Sequence, residues 1–138
     1  MVEPAPGLAG VLETALYYDA GQREAMEAFY GEVLGMPAVS RWGDGTAVRI
    51  GSGVLLLFDR AQLAERDEPM ADHGAAGPGH ACLQSAPGEY DAWKERVRSS
   101  EVEITHEHAW SEGRRSFYFK DPAGNLLEVA EGNIWPAA

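Results

Sequence analysis

The chain has 138 residues, 45% of them hydrophobic and 24% charged, an ordinary balance for one globular domain. Its net charge of −11, from 22 acidic against 11 basic residues, repels phosphate backbones and anionic bilayers. That excludes nucleic acid and membrane surfaces as partners but leaves room for a small anionic molecule held by a local cation. One cysteine, Cys82, excludes an intramolecular disulfide. The first residues lack a basic stretch followed by an apolar run, and the longest apolar run, Val54 to Phe58, is too short for a bilayer. The expectation is a soluble, cytoplasmic protein.

Residues 1–10 are rich in Pro, Gly and Ala and read as a loose lead-in. Val11 to Tyr18 alternates as a strand, with Val11, Glu13, Ala15 and Tyr17 on one face. Asp19 with Gln22 has capping-box spacing. The apolar stripe Met26, Phe29, Tyr30, Val33 and Leu34 predicts a helix to about Leu34, ended by Gly35. Pro37 to Arg41, Thr46 to Ile50 and Val54 to Arg60 read as three strands, separated by Trp42-Gly43-Asp44-Gly45 and Gly51-Ser52-Gly53. Ala61 to Gly79 is charged, then Gly/Ala/Pro-rich, and reads as a linker or flap with His73 as a solvated loop histidine.

The order then returns. His80 to Gln84 is a strand with His80, Cys82 and Gln84 on one face. Pro87 to Arg98 is a helix that buries Tyr90, Trp93 and Val97. Val102 to His108, Ser116 to Lys120 and Leu126 to Glu131 are strands, and Ile134-Trp135-Pro136 is an apolar tail expected to pack back. Asp121-Pro122-Ala123-Gly124-Asn125 is a tight turn, Pro presetting φ and Gly or Asn accepting a left-handed residue. Sliding the first half by 71 residues lays Gly53-Val54-Leu55-Leu56-Leu57 on Gly124-Asn125-Leu126-Leu127-Glu128. The predicted fold class is therefore α+β: two βαβββ modules forming a curved mixed sheet, a cup with its helices outside. Module one spans about residues 11–60, the linker 61–79 and module two about 80–134.

Three stretches carry a family resemblance. They are Leu12 to Asp19 with Phe29-Tyr30 and Val33-Leu34-Gly35, then Gly79 to Leu83, then Ser116 to Val129. With these the chain resembles the vicinal oxygen chelate superfamily of glyoxalases, bleomycin-resistance proteins and dioxygenases. In metal-using members the ligands come from the first and last strands of each module. The resemblance implies Glu13, His80 and Glu128 as metal ligands, with Leu57 at the module-one position where a fourth would stand. One histidine with two carboxylates suits Fe, Mn, Ni, Zn or Mg as a divalent metal ion. The resemblance also implies a homodimer. It carries Tyr118 over as a substrate-facing residue, because extradiol dioxygenases have a similar Ser-Phe-Tyr segment.

Other residues have two readings each. Glu128 lies on an otherwise apolar strand, so it either faces solvent or belongs to a polar site. His106 and His108 share one face with Ile104, either as a solvated strand end or as an acid–base group (His108) and a substrate contact (His106). Arg114 and Arg115 are solvated loop cations or hold a ligand anion, with Arg115 the candidate. Trp42, Trp110 and Tyr17 rim the cup for packing or for stacking on a ligand. Two functions follow. One is a metal-dependent isomerase, lyase or dioxygenase acting on a small oxygen-bearing metabolite, with Glu13, His108, Tyr118 and Glu128 as its catalytic groups. The other is a metal-free drug- or metabolite-binding protein using the same cup.

Overall fold

The computed structural model describes residues 4–66 and 73–136, and its elements fall into two halves of the same order. Module one contains β1 (Glu13–Tyr18), α1 (Arg23–Ala28), a π-helical turn (Phe29–Val33), β2 (Ala38–Trp42), β3 (Gly45–Ile50) and β4 (Gly53–Asp59). Module two contains β5 (His80–Gln84), α3 (Tyr90–Ser99), β6 (His106–Ala109), a 3-10 turn (Ser111–Gly113), β7 (Arg115–Lys120) and β8 (Leu126–Ala130). Between them, α2 (Arg60–Ala64) is capped by Asp59, whose side chain accepts from the Gln62 N–H. The expected linker is thus helical at its start, and its middle, residues 67–72, lies outside the described residues.

Each module forms one four-stranded mixed sheet, in the order β1-β4-β3-β2 and β5-β8-β7-β6. The first strand pairs parallel with the last, and the rest of the ladder is antiparallel. β1 and β5 are edge strands, and no ladder joins them among the described residues. Asn125 bridges the seam instead. Its amide N–H donates to the Tyr17 carbonyl at 3.1 Å, and its Oδ1 accepts from the Gly79 N–H at 2.8 Å.

The helix-facing rows of both sheets share one core: Leu16, Leu55, Leu57 and Val48 from module one, Phe117, Phe119, Leu127 and Val129 from module two. Helix α1 ends at Ala28, earlier than the stripe predicts, and the chain widens into the π turn. The Leu34 N–H reaches the Phe29 carbonyl at 3.2 Å, and Gly35 takes φ 66° to let the Met36 N–H close on the Tyr30 carbonyl at 2.9 Å. The wider turn buries both Phe29 and Tyr30. Phe29 lies 6.2 Å from Phe119, and the Tyr30 hydroxyl donates to Asp121 Oδ2 at 2.8 Å, so module one's helical segment is anchored on module two. Burial and the Asp121 charge push the Tyr30 hydroxyl far up, keeping it a donor.

Other expectations shift. Only half of the capping box forms: the Gln22 side chain accepts from the Asp19 N–H at 2.8 Å, while the Asp19 carboxylate pairs with Arg60. β6 starts at His106, although the Thr105 N–H still bonds the Tyr118 carbonyl. The tail does not bury its indole; Trp135 is 76% exposed.

Candidate functional site

The strand faces turned away from the helices carry the chemistry, and the ladders arrange it in rows. In module two, Lys120, Leu126 and His80 stand side by side across β7, β8 and β5. The next row is His106, Tyr118, Glu128 and Cys82, and the next His108, Ser116, Ala130 and Gln84. Ser116, Glu128 and Ala130 are buried on this face.

His80 and Glu128 come together. His80 Nδ1 lies 2.9 Å from the Leu126 carbonyl, which can only accept, so Nδ1 carries a proton. The other nitrogen, Nε2, faces Glu128 Oε1 at 3.3 Å. With a neutral imidazole two lone pairs would oppose each other there, and a proton or a cation between them removes the conflict. Glu128 is 5% exposed and its Oε2 has no hydrogen-bond partner. A buried carboxylate oxygen left in this state costs about 1–3 kcal/mol unless something binds it. The Tyr118 hydroxyl and Cys82 thiol face that carboxylate closely enough to feel its charge, yet neither gives Oε2 a bond of normal geometry. Burial, then the Glu128 charge, push the thiol up to about 12 and raise Tyr118 as well, so both stay protonated.

The outer wall is aromatic. His106 packs 5.6 Å from Tyr118 and 6.4 Å from His108, and His108 stands edge-on to Trp110 at 4.5 Å. The Trp110 indole N–H donates to Ser116 Oγ at 2.8 Å. Both histidines therefore belong to the open face, while Glu107 between them turns to the helix side and accepts from Tyr90 and Lys94.

Module one presents the same rows with different contents. Arg49, Val54 and Glu13 form the first, Ala47, Leu56 and Ala15 the second, and Gly45, Phe58 and Tyr17 the third. Trp42 stands edge-on to Phe58 at 5.8 Å, and Tyr17 stacks 6.1 Å from it. His73 is not a free loop residue: its ring lies 4.7 Å from Phe58, and Nδ1 is 2.6 Å from the Tyr17 hydroxyl. Through the ladder, Glu13 relates to Val54 as His80 relates to Leu126, so the two occupy equivalent positions. The equivalent of Glu128 is Leu56, paired with Ala15 as Glu128 is with Cys82; Leu57, expected there, is fully buried in the core.

The structure does not bring Glu13 to the His80–Glu128 pair. Glu13 lines a cleft with Ser52, Gly53 and the β5 end from Gln84 to Pro87. No group of three or more His, Cys, Asp or Glu among the described residues is arranged to hold a metal ion. Arg115 is not in the cup either. It faces the helix side with Phe117 and Phe119, forks onto Glu131 at 2.8 and 3.0 Å, and covers the Tyr90 ring at 4.4 Å. Strand alternation already placed it there. The residues missed in the sequence are Lys120, Arg49 and Phe58; the signal was the same alternation, carried one residue beyond Tyr118 and across to β3.

Two βαβββ modules, each presenting an open sheet face, with one buried carboxylate set beside an exposed imidazole, define the class. The chain belongs to the glyoxalase/bleomycin resistance protein/dioxygenase superfamily, whose family model matches residues 19–129. A lactoylglutathione lyase from Agrobacterium tumefaciens is 38% identical, superposes with a TM-score of 0.86, and the match covers 96% of this chain and all (100%) of that one. A glyoxalase-related enzyme from Fulvimarina pelagi is 26% identical over 95% of this chain and 94% of its own, with a TM-score of 0.69. An integron cassette protein from V. cholerae is 27% identical over 94% and 100%, with a TM-score of 0.68. No helix among the described residues is long and apolar enough to cross a membrane.

Proposed function

We propose that this chain is a divalent-metal-dependent enzyme, an isomerase, lyase or dioxygenase acting on a small oxygen-bearing metabolite in the cytoplasm. The observation that carries the reading is the buried Glu128 Oε2 without a partner beside the outward nitrogen of His80. That donor set fits Fe, Mn, Ni, Zn or Mg, and two protein donors leave open positions for substrate oxygens. A bound divalent ion supplies Lewis acidity that stabilises negative charge on a substrate oxygen.

The chain's own residues do the rest. Leu126 fixes the His80 tautomer through its carbonyl. The protonated Tyr118 hydroxyl donates to a substrate oxygen, and His108, exposed on the same wall, moves a proton to or from the substrate. Trp110 and His106 give the substrate a flat side to lie against, and Tyr17 and Trp42 do the same in module one. Glu13 joins as a ligand when module one of a second copy faces module two of the first. Each copy would then lend Glu13 to the other's His80–Glu128 pair, which makes a homodimer part of this reading.

A second reading keeps the cup and drops the metal. It is favoured by the apolar wall of Phe58, Tyr17, Trp42 and Leu56 in module one, which suits a planar drug or metabolite. Elemental analysis of protein purified without a metal-affinity tag separates the two, run beside His80→Ala. About one divalent metal ion per chain, lost in the variant, is the expected result. No ion in either protein, and no rise in melting temperature on adding divalent ions, would leave the binding reading standing alone.

A further inference from the structure

Nine of the chain's 11 basic side chains are engaged with acceptors or ion-pair partners. Arg23, Arg41, Arg60, Arg66, Lys94, Arg96, Arg98, Arg114 and Arg115 each hold a carboxylate or a backbone carbonyl. Only the side chains of Arg49 and Lys120 make no hydrogen bond or ion pair among the described residues, in a chain with 22 acids to choose from. These two occupy the same place in the two modules. Arg49 pairs with Val54, which pairs with Glu13; Lys120 pairs with Leu126, which pairs with His80. Each free cation thus lies two strands from a first-strand donor position, on the same open face, with one apolar residue between. Adjacent strands are about 4.8 Å apart, so about 10 Å of sheet separates cation from donor, the span of a small molecule with one charged end.

We propose that Lys120 and Arg49 form matched anion-binding positions of the cup, and that its ligand carries a carboxylate or phosphate as well as the oxygens presented to the His80–Glu128 pair. Lys120 is the direct case. A side chain free to pair with Glu128, a diagonal neighbour in the ladder, leaves Glu128 Oε2 unpartnered instead. The cation and the carboxylate thus stay available for two separate jobs, one on the charged end of the ligand and one at its reacting oxygens. Two free cations inside a chain of net charge −11 also give a small anion a local target that the rest of the surface does not offer. The inference names the substrate class of the site proposed above and rests on that site for what the other end of the ligand does.

The test uses metal-stripped protein, so that its failure is distinct from failure of the metal reading. Inorganic phosphate and lactate are titrated separately at constant ionic strength and followed by backbone amide NMR, with Arg98→Gln as the surface-charge control. The expected result is saturable shifts centred on residues 120–126 and 49–54, weakened about tenfold in Lys120→Gln or Arg49→Gln and unchanged in the control. Phosphate alone binding assigns a phosphorylated ligand; lactate alone, a carboxylate. Equal affinity in both variants, shifts centred elsewhere, or no saturation by either anion overturns the inference, even if the His80–Glu128 pair takes up metal. Because both side chains are exposed, their variants keep the fold, which the same spectra verify.

Discussion

The two open faces share a backbone, match in their first row and diverge from the second row on. In the first row both modules carry a cation, an apolar residue and a donor: Arg49, Val54, Glu13 against Lys120, Leu126, His80. In the second, module one is wholly apolar with Ala47, Leu56 and Ala15, while module two places Tyr118, Glu128 and Cys82. A sheet tolerates either content at these positions because the ladder satisfies the backbone regardless of side chain. The repeated fold therefore supplies two scaffolds, and one row decides which of them holds a reactive pair and which is a wall.

Three substitutions probe that contrast. The largest expected effect comes from Phe119→Ala, which empties a fully buried site touching Phe29 across the modules and costs about 3–5 kcal/mol. Urea unfolding followed by fluorescence and by circular dichroism together would show one shared transition moving to lower denaturant. Two separated transitions would mean that the modules are independent and the comparison is between two proteins rather than two faces.

Leu56→Glu gives module one the carboxylate that module two has. Half-buried between Ala15 and Ala47, the new group is expected to destabilise the metal-free protein by about 1–2 kcal/mol. Divalent ions should then raise the melting temperature of the variant more than that of the parent. An equal rise in both says that the second row alone does not make a donor site.

The smallest effect belongs to Asp44, which anchors module one's wall. Its carboxylate takes Arg66 at 2.9 Å and the Trp42 indole N–H at 2.8 Å, and the Arg66 hydrogen bond foremost holds it below its ordinary value of 3.8. A depressed carboxyl stabilises the fold above that ordinary value and loses its contribution as pH falls through the folded-state pKa. Asp44→Asn should therefore cost about 1 kcal/mol at pH 6, with the gap from the parent closing as pH drops below the ordinary value. A gap of the same size in strongly acidic solution would assign the cost to packing of Trp42.

Much of this was legible in residue order. The Asp121–Asn125 turn, the strand carboxylate after it and the histidine opening β5 announced the fold and the pair that the structure brings together. The internal repeat was legible too, but its phase was not. β3 maps onto β7 at a separation of 71 residues and β4 onto β8 at 72, because the second turn is one residue longer, so an ungapped slide lands Glu128 on Leu57 instead of Leu56. One residue in a strand changes its face, which is why the slide put a core leucine in the cup. Arg115 shares the alternation of Phe117 and Phe119, which puts it on the helix side instead of in the cup. His73 was beyond reach, since only the fold shows that its ring returns to Phe58.

Asn125 carries one further implication, for how the molecule ages. Asparagine decays when the backbone nitrogen of the next residue attacks its side-chain amide, and the product is a carboxylate. At this position the next nitrogen, that of Leu126, donates to the Gly79 carbonyl at 2.9 Å, and the amide is itself committed to Tyr17, Gly79 and Asp121. Intact, the seam keeps nucleophile and target occupied. Once decayed, an added negative charge would face Asp121 and a carbonyl that has lost its donor. That chemical wear waits on openings of the Asp121–Asn125 turn that free the Leu126 nitrogen from Gly79, with the Tyr17 carbonyl of module one as one of the contacts that must be released.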